Sequence, residues 1–459
     1  MKNNRVAAVV LAAGQGKRMK SDMPKVLHRA CGWPLVRHVL SELDLLGCAE
    51  VVVVIGHGAE EVRLECGSGY TYALQQQQLG TGDAVRAALE VMGPGPAEVL
   101  VVPGDSPLIT AGTLERLIEL RREAGVSAAL LSATLEDPTG YGRVIRADDG
   151  GVLRIVEEAD ADSRERAVRE VNACTYVFDR AALEQSVGAL ENDNAQKEYY
   201  LTAAVAPLVA SGQGVAAFEG PAEEAMGVNN RFQLAEAEAV LRRRIAMELA
   251  DGGVSVVDPA TTYLERGVVI EEGTLIMPVV FINGNCRVGK DCRIGPCTSI
   301  EDSTLGPGTG VEFSRVQGCE IGAGVQVGPF SRLRPGCRIH DGARVGSFVE
   351  LKNSEVGQDS KVPHLSYVGD ATIGKSVNIG AGSITCNYDG KNKHHTSIRD
   401  GAFIGSDTML IAPVEVGEGA VTAAGSAVYR DVPAGSLGVE RSEQVNVPGY
   451  RSRRDERDE

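Results

Sequence analysis

Residues 270–300 read IEEGTLIMPVVFINGNCRVGKDCRIGPCTSI, with an aliphatic residue at every sixth position: Ile270, Ile276, Ile282, Val288, Ile294 and Ile300. A helix repeats near 3.6 residues and an ordinary strand at 2, so neither produces this period. A parallel β-helix does, because each hexad is one short strand plus a corner. The aliphatic side chain points inward and stacks on its equivalent one coil away, and the glycine of Val288-Gly289 eases the turn. A second frame holds Ile321, Val327, Leu333, Ile339, Val345 and Leu351, and the pattern resumes as Ile398, Ile404, Leu410 and Val416. Between Ile379 and Ile398 lies TCNYDGKNKHHTS, Thr385 to Ser397, too polar to stack inside a coil and expected to loop out. Cys286, Cys292, Cys297, Cys319 and Cys337 fall three or four positions after an aliphatic position and read as small apolar fillers.

Outward from this stretch, composition bounds the rest. A chain of 459 residues exceeds what one hydrophobic core organises. Its 55 glycines against 4% aromatics suit short strands and many corners. A net charge of -16 and a pI near 5.1 argue against nucleic acid as a bulk partner, so anionic ligands must be caught locally. The longest apolar runs, Val6 to Ala13 and Val51 to Ile55, are strand-sized, so no membrane insertion is expected. The start MKNNRVAAVVLAAG imitates a signal peptide, but the glycines after it lead into further α/β pattern, so it reads as a buried first strand. Ten cysteines without a CxxC indicate neither a zinc ribbon nor a thioredoxin-like site; reduced thiols and a cytoplasmic location are expected.

Residues 6 to 105 alternate strands (Val6 to Ala12, Val51 to Ile55, Tyr70 to Leu74, Val99 to Val102) with helix (Thr81 to Glu90), predicting a mostly parallel sheet with helices on both faces. Ligands of such sheets bind beyond the carboxyl ends of the strands. Arg231 to Ala250, with Leu234, Leu241, Ile245 and Leu249 near helical spacing, predicts a connecting helix that stops at Gly252 and Gly253. The expected divisions are 1–228, a linker helix 229–252, the β-helix 253–440 and a tail 441–459, whose end RSRRDERDE reads as disordered.

Directly after the first strand, Leu11 to Lys25 reads LAAGQGKRMKSDMPK. Gly14 and Gly16 let backbone N–H groups approach a phosphate, and Arg18 and Lys25 add positive charge. Leu11 stands where a Walker A loop needs its first glycine, and Met19 replaces the third glycine of a dinucleotide fingerprint.

With Pro24, the stretch resembles the signature of the sugar-1-phosphate nucleotidyltransferases. QQLGTGDA (Gln77 to Ala84), PGDSPL (Pro103 to Leu108), DPTGYGR (Asp137 to Arg143), NAQKEYYLT (Asn194 to Thr202) and GVNNR (Gly227 to Arg231) extend the match. Their order resembles the family of bacterial bifunctional N-acetylglucosamine-1-phosphate uridyltransferases and glucosamine-1-phosphate acetyltransferases, over nearly the whole chain. The resemblance implies a Rossmann-like α/β nucleotidyltransferase domain followed by a left-handed parallel β-helix with three hexads per coil. It also implies phosphate contacts at Leu11, Gly14, Arg18 and Lys25, uracil contacts at Gln75, Gly80 and Thr81, and sugar or ribose contacts at Gly140, Glu157 and Asn172. Mg²⁺ would be held by Asp105 and Asn229, hard oxygen ligands of the kind this cation takes. Two departures stand out: Lys17 replaces the usual Thr, and Asn172-Ala173-Cys174 replaces NTG, which puts the local backbone in doubt.

The β-helix could be a scaffold alone. Against that, the same resemblance covers His364 in VPHLSYVGD, Tyr367, Asn378, and Asn387, Tyr388 and Lys393 of the polar loop. N-acetylation needs a base near neutrality, and a histidine begins at about 6.5, so His364 is the candidate. The resemblance implies Arg334 and Lys352 as the cationic pair for a sugar phosphate, Asn387 as polariser of the thioester oxygen, and Ala381, Tyr388, Ser406, Ala424 and Arg441 as further contacts with acetyl-CoA. It implies a homotrimer with acetyltransferase sites built between subunits, and UTP and acetyl-CoA as co-substrates. His394 and His395 have no role in this reading. Two alternatives stay open: a nucleotidyltransferase whose β-helix only oligomerises or regulates, and a noncatalytic interaction protein that kept both folds.

Overall fold

The computed structural model describes residues 5–451 and divides into two compact units, 1–241 and 242–459. In the first unit, one sheet runs in the order Val215–Glu219, Ala128–Thr134, Glu170–Asp179, Glu98–Pro103, Val6–Leu11, Glu50–Ile55, Thr71–Leu74. The pairs are parallel except at Glu170–Asp179, which lies antiparallel to both neighbours, so the sheet is mixed. Val6–Leu11 is central because both its faces are apolar. Val6, Ala8 and Val10 pack with helices Leu35–Leu46 and Ala111–Ala124 on one side. Ala7 and Val9 pack with Thr81–Val91 and Arg180–Gly188 on the other. A strand covered on both faces loses the polar alternation of an exposed sheet.

The helix Arg231–Asp251 crosses the division between the units and ends where the chain reaches Gly252 and Gly253. Beyond it the second unit is a stack of coils with three parallel sheets, of 11, 10 and 9 strands, in which each strand pairs with the third one along the chain, except the last pair, Val421–Thr422 with Leu437–Gly438. The aliphatic frames form its interior: Ile276, Ile282, Ile294, Leu333, Val345, Leu351, Ile404 and Val416 are all completely buried. The slip between the first two frames does not break the stack. Ile300 to Leu305, Val311 to Val316 and Val316 to Ile321 are steps of five rather than six, and Leu305, Val311 and Val316 stay buried. A corner can lose a residue while the inward position keeps its register.

Two expectations are corrected. Thr385 and Thr396 are buried within strands Ile384–Cys386 and Thr396–Ile398, so the extruded loop is only 387–395. Thr385 remains inside because its hydroxyl accepts from Gly369 N (2.7 Å) and donates to Gly369 O (3.0 Å), which satisfies it without water. Cys286, Cys292, Cys319 and Cys337 are buried fillers, but Cys297 is exposed, because the inward position of that corner belongs to the next residue, Thr298. All ten thiols are free. No helix among the described residues is long and apolar enough to cross a membrane. Residues 441–451 are exposed and irregular, and the rest of the mixed-charge tail lies outside the described residues.

Candidate functional sites

In the first unit the loop after Val6–Leu11 is closed by Gly16, whose φ is +69° and where a Cβ would sit 2.5 Å from the Lys25 Cβ. Glycine therefore lets Lys25 lie against the loop. Gly14 has open space around it, and Leu11 O accepts from Gly104 N (2.9 Å), joining this loop to the one that carries Asp105. Three side chains distant in sequence then meet. Lys25 Nζ pairs with Asp105 Oδ2 and donates to Asn229 Oδ1 (3.1 Å), and Arg18 Nη2 donates to the same Asn229 oxygen (2.8 Å). Gln233 Oε1 accepts from Asn229 N (2.8 Å), and Asp105 O accepts from Val228 N (2.9 Å). Lys17 is exposed in the 3-10 turn Lys17–Met19.

Gln75, Gly80 and Thr81 also come together. The Gln75 amide donates to Gly80 O (3.0 Å) and Asp83 Oδ2 (2.8 Å), and Thr81 Oγ1 accepts from Leu201 N (3.0 Å). Gly80 has a φ of +111°, and a Cβ there would press on the Tyr199 backbone. Around the proposed sugar contacts, Thr202 donates to Glu157 Oε1 (2.8 Å). Burial pushes the Glu157 carboxyl above its ordinary value, against the lowering effect of the Thr202 hydroxyl. Gly140 N turns instead to Glu158, which pairs with the buried Arg143. Asn172 is buried and donates to the Tyr176 hydroxyl (2.6 Å), so its amide is engaged internally. The Ala173-Cys174 departure has a visible consequence. Cys174 takes a φ of +55°, and the strand register shifts between Asn172 and Tyr176. A non-glycine side chain in this left-handed region costs about 1–2 kcal/mol.

In the second unit His364, Ala381, Ser406 and Ala424 form a column up one corner, one residue per coil. Gly382 N donates to His364 O (3.3 Å), Asp407 N to Ala381 O (2.7 Å) and Gly425 N to Ser406 O (2.8 Å). Neighbouring coils lie about 4.8 Å apart, so the column spans roughly 14 Å. Arg441 returns to its top, donating to Ala424 O (3.2 Å). Asn378 lies beside it, on the strand Asn378–Ile379. His364 is exposed. Below it the same corner carries Phe313, Phe330, Phe348 and Leu365, with ring centroids 5.6 and 5.3 Å apart. Phe330, Phe348 and Leu365 are 55%, 59% and 63% exposed, an apolar ladder facing outward.

A cationic cluster occupies the opposite edge of the adjoining sheet. Lys352 and Gly369 end the paired strands Glu350–Lys352 and Tyr367–Gly369, and Arg334 follows the next strand of that sheet, Arg332–Leu333. Arg334 donates to Glu350 Oε1 (3.1 Å). A Cβ on Gly369 would meet the Tyr367 hydroxyl at 2.5 Å and Asn387 Nδ2 at 2.9 Å, so those two groups converge over this glycine. The neighbouring Lys352 lowers the proton affinity of the Lys393 ammonium. His364 precedes the strand that Gly369 ends. Within one chain the column and the cations are separated by that strand, about 10 Å.

Residues 8–184 match the MobA-like NTP transferase domain, and residues 267–302 and 318–353 match the bacterial transferase hexapeptide (six repeats). The bifunctional protein GlmU of Heliobacterium modesticaldum is 50% identical over 436 residues, 95% of each chain. Those of Caldanaerobacter subterraneus and a Geobacillus species are 47% and 46% identical over 97% and 96% of this chain, and 97% of each relative is covered. The chain belongs to the GlmU family. It is a bifunctional enzyme of UDP-N-acetylglucosamine synthesis, uridyltransferase and acetyltransferase in one chain, supplying cell-wall precursor.

In this member of the GlmU family, hydrogen bonds bring in residues that the motifs did not single out. Asp370 closes the quoted VPHLSYVGD segment, and its carboxylate accepts from Asn353 Nδ2 (2.8 Å) and from Asn387 Nδ2. Thr202, at the end of NAQKEYYLT, donates to Glu157, and Gln233, just beyond GVNNR, accepts from the backbone N–H of Asn229. The spacing of a motif shows which residues it contains, but not which of them orients another.

Proposed function

We propose that Arg18, Lys25, Asp105 and Asn229 form the uridylyl-transfer centre and that Mg²⁺ works there. The observation that carries this reading is the convergence of Asp105 Oδ2 and Asn229 Oδ1 on one cation, the Lys25 ammonium. Two protein oxygens meeting at a positive charge fit a metal that takes its other ligands from water and substrate phosphates. Bound Mg²⁺ would neutralise nucleotide phosphate charge, and Lys25 is then free to turn to the phosphates. A phosphate oxygen of N-acetylglucosamine 1-phosphate attacks the α-phosphorus of UTP, the bond to the β-phosphate oxygen breaks, and pyrophosphate leaves. Arg18 and Lys25 stabilise the charge that builds on the phosphoryl oxygens. Leu11 and Gly14 border the phosphates through the backbone. Gln75, Gly80 and Thr81 take the uracil, and Gly140, Glu157 and Asn172 take sugar and ribose.

In the second reaction His364 receives the proton of the glucosamine 1-phosphate amine as it attacks the thioester carbonyl. The tetrahedral centre then collapses and expels coenzyme A. Arg334 and Lys352 hold the sugar phosphate, with Tyr367 and Asn378 on the sugar and Asn387 on the thioester oxygen. The pantetheine arm lies along Ala381, Ser406 and Ala424 with Tyr388 and Arg441 at its flanks. Acetylation comes first and uridylylation second, in the cytoplasm, where both co-substrates are available.

We also propose a homotrimer. His364 and the cationic cluster stand on different edges of one chain, and a second copy packed along the aromatic ladder would bring them together. Burying such a ladder supplies the driving force for association. Mass spectrometry of the products formed from glucosamine 1-phosphate, acetyl-CoA, UTP and Mg²⁺ tests the sequence of reactions. Omitting acetyl-CoA should stop formation of UDP-N-acetylglucosamine, and omitting UTP should leave N-acetylglucosamine 1-phosphate as the end product.

A further inference from the structure

The extruded loop contains two histidines that neither reaction uses. Its geometry is specific. The Asp389 carboxylate accepts from Lys391 N (2.8 Å), from Asn392 N (2.6 Å) and from the His394 Nε2 ring nitrogen (2.7 Å). Asp389 N donates to Asn392 O (3.2 Å), and His394 N donates to Asn387 O (2.8 Å). Tyr388 and Lys393 face each other as an antiparallel bridge. The loop is therefore a small hairpin gathered around one carboxylate. Those backbone and ring donors hold the Asp389 carboxyl far below the usual carboxylate range. The next residue fixes the returning strand: His395 Nε2 lies 3.1 Å from Thr372 Oγ1.

The hairpin matters because of what stands at its two feet. Asn387 is buried and hydrogen-bonds Asp370, whose own backbone N–H donates to Lys352 O (3.0 Å). Lys393, opposite Tyr388, is exposed at the other foot, and the neighbouring Lys352 lowers its proton affinity. No apolar residue of this polar nine-residue excursion is buried, so its order rests on hydrogen bonds rather than packing.

We propose that His394 and Asp389 are positioning residues: their hydrogen bond latches the 387–395 hairpin so that Asn387 and Lys393 are held at the acetyltransferase site. This rests on the reading of Asn387 as part of the acetyltransferase site. In either form that carries a proton on Nε2, His394 can donate to Asp389, and a glutamine can reach the same carboxylate with its amide N–H.

The test uses the full-length protein and the variants His394→Ala, His394→Gln and Asn387→Ala. Trypsin cleavage after Lys391 and Lys393, followed by mass spectrometry, reads hairpin order without reference to activity. The midpoint of chemical unfolding of the second unit, followed by circular dichroism, reports that each variant is folded. In His394→Ala, cleavage should speed up about tenfold or more. The KM for glucosamine 1-phosphate should rise about tenfold, the loss of one charge-assisted hydrogen bond, and the KM for acetyl-CoA should rise with it, because Asn387 and Tyr388 belong to the same hairpin. His394→Gln should restore both readouts to within about threefold of the parent. Unchanged cleavage in His394→Ala overturns the latch. Faster cleavage with an unchanged KM overturns the positioning role if Asn387→Ala does impair acetyl transfer. If Asn387→Ala is also without effect, the reading of the loop as part of the site fails, and the positioning role fails with it. A KM increase that glutamine does not relieve would mark His394 as merely structural and likewise overturn the proposal.

Discussion

Replacing Lys25 with alanine should weaken catalysis and strengthen metal binding at once. Lys25 Nζ occupies the point on which Asp105 and Asn229 converge, so in the absence of nucleotide it competes with a divalent cation for the same oxygens. Two unit charges about 4 Å apart interact by about 4 kcal/mol at an effective dielectric constant near 20. The Lys25 and Asp105 side chains keep 18% and 14% of their surface exposed, and solvent screening reduces the competition to roughly 1–2 kcal/mol. Nucleotide-free affinity for Mn²⁺, a spectroscopic stand-in for Mg²⁺, should therefore tighten about tenfold in Lys25→Ala. Turnover should fall roughly 10²–10³-fold, because a cation aimed at the phosphoryl oxygens is lost. Electron paramagnetic resonance titration of free Mn²⁺ measures the first, and pyrophosphate release from UTP and N-acetylglucosamine 1-phosphate measures the second. The midpoint of chemical unfolding of the first unit serves as the folding control. A variant with unchanged or weaker Mn²⁺ affinity would refute the claim that Lys25 holds the metal position.

His364→Ala should lower acetyl transfer about 10²–10⁴-fold while leaving uridyl transfer intact, and equal loss of both activities would argue for a folding defect instead. Burial raises the Glu157 carboxyl, so it takes up a proton at a higher pH than an exposed glutamate. In the proposed sugar contact the charged form accepts from hydroxyls, and that form is present above the raised value and lost below it. The KM for N-acetylglucosamine 1-phosphate should accordingly climb as pH falls toward it, with a profile that Glu157→Gln flattens. Phe330→Glu puts charge into the ladder between Phe313 and Phe348; analytical ultracentrifugation should show monomers, with acetyl transfer lost and uridyl transfer retained. In the β-helix interior, Ile404→Ala should destabilise the second unit by about 2–5 kcal/mol, read as a lower midpoint of chemical unfolding.

The sequence by itself determined the repeat, the interior and the residue types at both sites. A hexad places its aliphatic residue inward whatever the rest of the chain does, so Ile276, Val345 and Ile404 could be assigned to the core from spacing alone. The Gly-rich loop after the first strand was legible for the same local reason. Cys297 shows the limit: a count of positions from Ile294 does not say which residue of a corner turns inward, and the backbone there gives that place to Thr298. The loop boundaries failed likewise, because Thr385 and Thr396 look polar in sequence but find hydrogen-bond partners or enclosure within the coil. Ala173-Cys174 was visible as a departure, yet only the backbone revealed a left-handed cysteine and a register shift.

What only the tertiary structure decided is which distant residues share a point in space. Lys25, Asp105 and Asn229 come from three separate loops at one end of the sheet, and no periodicity links them. His364, Ala381, Ser406 and Ala424 are unevenly spaced in sequence because a loop intervenes, but coil stacking puts them in one column. The same stacking keeps His364 a strand's width away from Lys352 within a chain. Local period follows from the geometry of a few bonded residues. Convergence depends on where loops of variable length return to the stack, and that is set by packing across the whole unit.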